Sequence, residues 1–552
     1  MRIALATMFV AVVLVDTFAA NRAEAQALYY RSIPIGERAM GLGGAYTGIA
    51  NDPSATYYNP AGITTGGRFQ LMGSLSSLVF TRRTIEHAFE STDIDSDFTS
   101  TGTTTLPSFV GTVVKMGRKR FGDHQFAVAY STFEVAREGF GVGLSEIDEA
   151  ASLDLRLNKN YKDRWYGFSF GAQIMEKVSL GLSAFLAEQK GNYSEDIGLA
   201  SGGAFNEIGL RVGGDSITTS TGIGSTAYHF VFRLGALYRI NPRWQLGFMF
   251  QPPGAPLSQS GNVFHRTTTA VSGREPTYFL FDEGDLSTNL PIPLELRAGF
   301  EFKINAVNIM SVDAAVTGPI RDREVFDRPD QLQDVPAGLG IYLANSTERR
   351  WTPNVAVGVE HMFGKVVIAG GLFSNISSAP DVPATSTEYT PDQVNMFGAS
   401  FSAGVDTKGY RLTLGATGYF GRGDAMSFAL DRDAMVTGYV RTKSNVSALV
   451  LYIAGAVSVA GKGAKDVQDS YKKRKAKKVN GHPDEAEAEA GTGTDPDTGT
   501  DAVTDTGTDT GTGTGTGTDT DTGTDTGTDT GTDTGTDTDT GTGTDTGAPS
   551  VE

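Results

Sequence analysis

The chain has 552 residues, of which 64 are acidic, 46 are basic and none is cysteine, for a formal net charge of -18. Without cysteine there are no disulfides, no thiolate catalysis and no cysteine-ligated metal. Residues 484–552 hold 18 of the acids and no base, so the rest of the chain is formally neutral and lacks the basic footprint of a nucleic-acid-binding protein.

Residues 1–25 read as a secretory signal peptide. Arg2 gives the positive start, residues 3–15 are apolar, and Ala23-Glu24-Ala25 fits the small-x-small cleavage rule, placing the mature start at Gln26. No later run of 18 uncharged apolar residues occurs, so no transmembrane helix is expected. Residues 26–67 are too Gly-rich for a helix and too irregular for a strand. Fourteen stretches of alternating hydrophobicity follow, at 68–83, 104–118, 123–137, 155–175, 177–192, 224–240, 242–252, 290–304, 305–318, 350–363, 364–376, 392–407, 408–422 and 443–458. Such a period of two puts apolar side chains on one strand face and polar ones on the other. In residues 294–303, Leu294, Leu296, Ala298, Phe300 and Phe302 share one face, and Glu295, Arg297, Glu301 and Lys303 the other.

The connectors decide between a soluble sheet and a membrane barrel. Tight turns such as Asn241-Pro242, Phe363-Gly364-Lys365 and Lys303-Ile304-Asn305 follow even-numbered strands. Long polar connectors, at 84–103, 138–154, 193–223, 253–289, 319–349, 377–391 and 423–442, follow odd-numbered ones. Short periplasmic turns and long external loops are the pattern of an outer-membrane barrel. The predicted fold class is therefore all-β: a fourteen-stranded antiparallel transmembrane barrel over residues 68–458, with both termini periplasmic. Its lipid face passes a charge test, since Val178, Leu180, Leu182, Ala184 and Leu186 share a parity without charge, whereas Arg297, Glu301 and Glu360 fall on the opposite one. Trp244 and Tyr238 lie near the predicted periplasmic rim, where aromatic girdles belong.

Residues 26–67 are expected to plug the lumen as a hatch. They contain Ala39-Met40-Gly41 to Ala45, Asp52, and Tyr58-Asn59-Pro60-Ala61-Gly62. These motifs, with the strand count, resemble the FadL-type outer-membrane transport family of long-chain fatty acid and TodX-like aromatic-hydrocarbon carriers. The resemblance implies passive uptake. A hydrophobic ligand is caught by the external loops, enters the barrel and leaves sideways through the wall when the hatch shifts. It implies hatch roles for Asn59, Pro60, Ala61 and Gly62. The loops matching the family's outer groove, 193–223 and 253–289, are rich in Gly, Ser and Thr. Their apolar residues are Phe205, Ile208, Leu210 and Val212, then Tyr278, Phe279, Leu280 and Phe281. The family's wall opening has no sequence mark around residues 123–137.

The lumen charges Arg233, Glu295, Arg297 and Glu301 either hold a carboxylate ligand or pair internally to brace a plug. Gly167-Phe168-Ser169-Phe170-Gly171 matches a nucleophile elbow, but it lies within an alternating strand rather than a strand-to-helix turn. The six histidines show no ligand spacing, and Asp93-Ile94-Asp95-Ser96-Asp97 lacks the glycine and closing glutamate of a calcium loop. Neither catalysis, cofactor nor metal is expected. Residues 459–482 form a basic juxtamembrane segment suited to head groups or cell wall. Residues 483–552, mostly Thr, Gly and Asp, have nothing to bury and read as a disordered periplasmic tail, a route to cell-wall or periplasmic partners. The expected partners of the barrel itself are a hydrophobic small molecule and outer-membrane lipids. The alternative functional reading is a PorV-like structural or secretion-associated barrel, whose group carries a similar Asn-Pro-Ala-Gly motif. A surface lipase is disfavoured by the lack of a Ser-His arrangement.

Overall fold

A computed structural model describes residues 29–30, 34–91, 94–106, 109–116, 125–147, 151–202, 204–205, 211–212, 214–326, 340–407, 409–431 and 436–459. The expected signal peptide, the basic segment beyond residue 459 and the acidic tail lie outside these residues. So do the side chains of Phe205, Ile208, Leu210 and Val212.

The strands run β1 (Phe69–Ser91), β2 (Ile94–Leu106), β3 (Phe109–Met116), β4 (Gln125–Ile147), β5 (Ala151–Met175), β6 (Val178–Ser201), β7 (Asp215–Asn241), β8 (Trp244–Gln251), β9 (Ala255–Ala270), β10 (Thr277–Leu286), β11 (Glu295–Lys303), β12 (Asn308–Thr317), β13 (Thr352–Phe363), β14 (Val366–Asn375), β15 (Gln393–Asp406), β16 (Tyr410–Asp431) and β17 (Val436–Val459). With a two-residue segment at Thr385–Ser386 they form one 18-stranded sheet. β17 pairs antiparallel with β1 from Phe69↔Val459 to Ile85↔Ser444, which closes the barrel.

The wall has fifteen barrel strands in a mixed sheet, not the fourteen antiparallel strands expected. The expected loop 253–289 holds two strands, β9 and β10. β7 is 27 residues long, too long for β8 to cover. β8 pairs with its lower part, and β9 takes over from Phe230↔Ala255 upward. β9 carries Val263, Phe264 and the run Thr267 to Thr269, which suit a strand, and it buries Val263 and His265. The one parallel pairing among the described residues joins β1 and β16 at Phe89↔Phe428 to Ser91↔Leu430. Much of the other expected loops is strand as well. β4, β5 and β6 run on through 138–147, 151–154 and 193–201, because inward residues such as Leu153, Leu155, Leu157, Tyr193 and Phe140 continue a buried face. Only 319–349 and 377–391 keep no long strand among the described residues.

The face test holds in three dimensions. Outward Leu180, Leu182, Phe168, Phe170, Phe232, Phe248, Leu296, Val355 and Val359 are exposed, while inward Ser183, Phe185, Arg233, Arg297, Glu301 and Glu360 are buried. An apolar belt outside a closed barrel is the surface that a bilayer covers. Trp244 stacks on Phe302 at 4.2 Å between ring centroids, and Tyr238 is exposed beside it on the neighbouring strand. Leu182→Arg is expected to cost about 2–4 kcal/mol in lipid vesicles. The urea unfolding midpoint checks this, and an unchanged midpoint would mean that Leu182 does not face lipid.

The interior is filled in two layers. One layer packs Ile35, Leu42, Tyr46, Ile49, Tyr57, Tyr58 and Ile63 of the N-terminal segment against wall residues such as Phe109, Phe133, Trp165 and Phe185. The other gathers Phe98, Leu155, Tyr193, Phe428 and Tyr439 around Ile341 and Tyr342 of the β12–β13 connector.

Candidate functional site

Residues 35–50 and 53–64 are buried among inward-facing wall residues. They form helix α1 (Glu37–Gly41), helix α2 (Ala55–Tyr58) and a 3-10 turn (Pro60–Thr64). The Asn59 side chain donates to Thr47 O at 3.1 Å and to Ala236 O of β7 at 2.9 Å, and accepts from Ala61 N at 3.2 Å. It therefore caps the 3-10 turn and ties it to the wall. Pro60 supplies a first-turn residue that needs no amide donor. Ala61 is buried, and a Cβ on Gly62 would lie 1.7 Å from Ala50 O. Each residue of this motif thus has a local packing reason.

The wall makes room for this segment with glycine. Gly171, Gly181 and Gly235 lie directly opposite one another on β5, β6 and β7. Gly247 faces Gly299, and Gly358 faces Gly371. A Cβ on Gly181 would come within 2.2 Å of Pro60 C, on Gly235 within 2.3 Å of Asn59 Oδ1, on Gly247 within 2.1 Å of Thr47 O and on Gly371 within 2.3 Å of Leu42 C. The glycines form a staggered inner girdle against which the N-terminal backbone lies. Periodicity alone reads them as generic small residues. Their inward parity on successive strands is the signal that could have found them.

Polar contacts lock the segment from around the ring. Arg38 makes a two-pronged pair with Glu360 of β13, at 2.7 and 2.8 Å. Asp313 of β12 accepts from the amides of Tyr46 and Thr47 at 3.0 and 2.8 Å. Gln245 donates to Gly48 O at 2.7 Å, and Lys115 to Thr64 O at 2.6 Å. Glu37 accepts from Thr413, and burial pushes its carboxyl up to about 7, against the opposing pull of Arg411 and Thr413. Arg38→Ala strands Glu360 in a buried site and is expected to destabilise the barrel by about 3–5 kcal/mol, whereas Arg38→Met with Glu360→Leu restores most of it. Urea midpoints of the two variants in vesicles check this. Equal losses would remove the ion pair from the account.

Of the four lumen charges singled out from sequence, three converge on Tyr57. Arg233 lies with its guanidinium 3.9 Å from the Tyr57 ring centre and donates to Tyr57 O. Arg297 lies 4.9 Å from the same ring and donates to Tyr57 Oη at 3.1 Å. Glu295 joins both, at 3.1 Å from Arg233 and 2.6 Å from Arg297. Glu301 is apart from them and faces Lys303 of its own strand at 3.6 Å.

Above Tyr57 is a cavity of about 100 Å³, lined among others by Trp165, Arg233, Glu295, Arg297, Arg349 and Asn354. Three buried donors on its lining have no hydrogen-bond partner: Arg297 Nη1, Arg349 Nε and Asn354 Nδ2. Buried polar groups are usually paired, so three unpaired donors on one small cavity form an acceptor-seeking site. Arg349 and Asn354 come from the β12–β13 connector and β13, and sequence reading gave them no role. Val135 and Ala136 also line the cavity, at a bulge in β4 between Glu134 and Ala136. The β3–β4 ladder ends at Phe109↔Phe133, just below that bulge. From Glu134 to Ile147 β4 keeps its ladder with β5, while β2 pairs along β1. Among the described residues β2 and β4 share no backbone ladder and meet through side chains, such as Ser96 with Glu146 and Ser100 with Gly141. The wall is therefore unzipped beside the cavity.

The motifs set aside remain structural here. Ser169 Oγ meets Ser183 Oγ at 2.6 Å, and Ser183 donates to Thr56 O at 2.9 Å, tying wall to N-terminal segment. Asp95 pairs with exposed His87 at 2.7 Å. No cluster of three metal-ligating side chains occurs among the described residues.

No family model matches the chain, and no curated protein matches its sequence. Solved structures match its fold. The TodX monoaromatic hydrocarbon channel with the deltaS2 mutation aligns over 77% of this chain and 99% of its own, at 14% identity and a TM-score of 0.50. This chain shares the fold of that channel. A Pseudomonas aeruginosa FadL homologue aligns over 80% of this chain and 100% of its own, at 14% identity and a TM-score of 0.48. The P. putida toluene transporter TodX aligns over 77% and 98%, at 14% identity and a TM-score of 0.48.

Proposed function

We propose that this protein is an outer-membrane channel for hydrophobic small molecules, with residues 26–67 as its hatch, its short turns periplasmic and its long arms outside. The observation that carries this reading is a cavity with unpaired donors between the N-terminal segment and an unzipped stretch of wall. Three donors, two of them on arginines, suit an acid head group better than a neutral hydrocarbon. The preferred ligand is therefore amphipathic, of the long-chain fatty acid kind, with its carboxylate at Arg297, Arg349 and Asn354. A cavity of about 100 Å³ holds a head group and not a tail. The described state is thus closed, and loading requires the hatch or the inserted 340–349 segment to shift. Exit between β2 and β4 lets the apolar tail pass into lipid without crossing water.

The test is uptake by cells lacking the protein and by cells complemented with it. Complementation is expected to speed entry of a long-chain fatty acid. Equal rates in the two strains would overturn the proposal. A bismaleimide bridge between Ser96→Cys and Glu146→Cys, clean in a chain without native cysteine, is expected to slow that entry. Unaltered entry through the bridged wall would remove the sideways exit. If instead a protein partner co-purifies and no fatty acid binds, the secretion-associated reading replaces this one.

A further inference from the structure

We infer that the outer wall carries a binding site for the phosphate of an outer-leaflet glycolipid. On β4, β5 and β6 the outward residues Arg137, Lys162 and Lys190 lie directly opposite one another, and the row continues through Thr226 of β7 and Ser260 of β9. Like charges directly opposite on neighbouring strands repel. Three cations in one row therefore repel to the extent that neighbouring anions do not offset them.

The row below has the alternation that this one lacks: Glu134, Arg164 and Glu188 are likewise opposite one another. Glu134 serves both Arg137, at 3.4 Å, and Arg164, at 3.3 Å, and Glu188 takes Lys190 at 2.5 Å. Among the described residues Lys162 has no carboxylate within salt-bridge distance. Four cations face two carboxylates in these rows, and the excess stays positive even when Asp285, which lines the same groove, is counted.

That groove holds about 570 Å³ and is lined by Arg137, Lys162, Lys190, Asn160, Asn192 and Asn262, among others. It combines cations for a phosphate with amides that hydrogen-bond sugar hydroxyls. Its height on the wall selects a lipid as the source. Tyr228 stands opposite Glu188 in the row just below the cations, and Tyr166 stands one row further down in line with Leu186 and Phe230; apolar residues continue below it through Phe168 to Val178 and Tyr238. The cations thus stand just beyond an aromatic rim of the belt, at head-group level. The inference rests on the orientation proposed above, which puts this rim in the outer leaflet.

The test uses the full-length protein in detergent micelles and three probes: a bisphosphorylated glycolipid, its dephosphorylated form and inorganic phosphate. The wild-type chain is expected to prefer the bisphosphorylated lipid by roughly tenfold, and Lys162→Gln with Lys190→Gln to lose that preference. The variant should keep the heat-modifiable gel mobility of a folded barrel and its affinity for a fatty acid. Equal binding of both lipid forms, an unchanged preference in the variant, or equal competition by millimolar inorganic phosphate would overturn the inference. Asn160→Cys in intact cells separates its failure from that of the orientation. Labelling by an impermeant maleimide with no phosphate preference sinks this site alone, and absence of labelling sinks both.

Discussion

Removing residues 26–62 is expected to turn a closed barrel into an open one. Planar-bilayer conductance should rise by roughly an order of magnitude or more, because an unplugged barrel of this size has a water-filled lumen. The segment meets its wall on several sides, through Glu360, Asp313, Gln245, Ala236 and Thr413. Nothing else described fills that layer. Gly235→Leu gives a milder version with the chain intact. Its side chain would enter the space of Asn59 and Pro60, and conductance should rise less. If both variants keep heat-modifiable mobility and neither conducts more than wild type, the segment does not seal the lumen.

Arg349→Gln is expected to weaken binding of a long-chain fatty acid by about ten- to a hundredfold, the worth of one hydrogen bond to a charged group. Binding of the methyl ester, which has no charge to satisfy, should hardly change. Arg349 is the informative choice because its Nε is unpaired and, among the described residues, it makes no carboxylate pair. Arg297 is bound up with Glu295 and Tyr57, so its loss mixes ligand effects with wall stability. Isothermal titration of acid and ester against both proteins reads this directly. Equal losses for acid and ester would show that Arg349 shapes the cavity without holding a head group. Wild-type preference for the ester would dismiss the acid ligand altogether.

Local chemistry was legible in the chain because it repeats at the period of a strand. Leu182 and Arg297 were assigned to opposite faces by parity alone, and both assignments hold. The tight turns were placed within a few residues, since Asn241-Pro242 and Gly364 cannot continue a ladder. In sequence the long arms look like loops because their outward residues are polar. Only their inward Leu153, Leu155 and Leu157 mark them as strands, and that mark needs an interior to point into.

By itself, then, the sequence determined an all-β barrel with an apolar belt, and an irregular Gly-rich segment of the wrong character for either helix or strand. Alternation is a local property, set by which side chains tolerate lipid or water. The tertiary structure decided what faces that segment. Gly181, Gly235 and Gly371 gain meaning only from the backbone that lies against them, and Arg349 and Arg297, far apart in the chain, line one cavity. The fifteenth strand, the unzipped wall and the row of Arg137, Lys162 and Lys190 belong to the same class. Each depends on the register between strands, which is fixed by the closure of the whole sheet and is written in no single stretch of it.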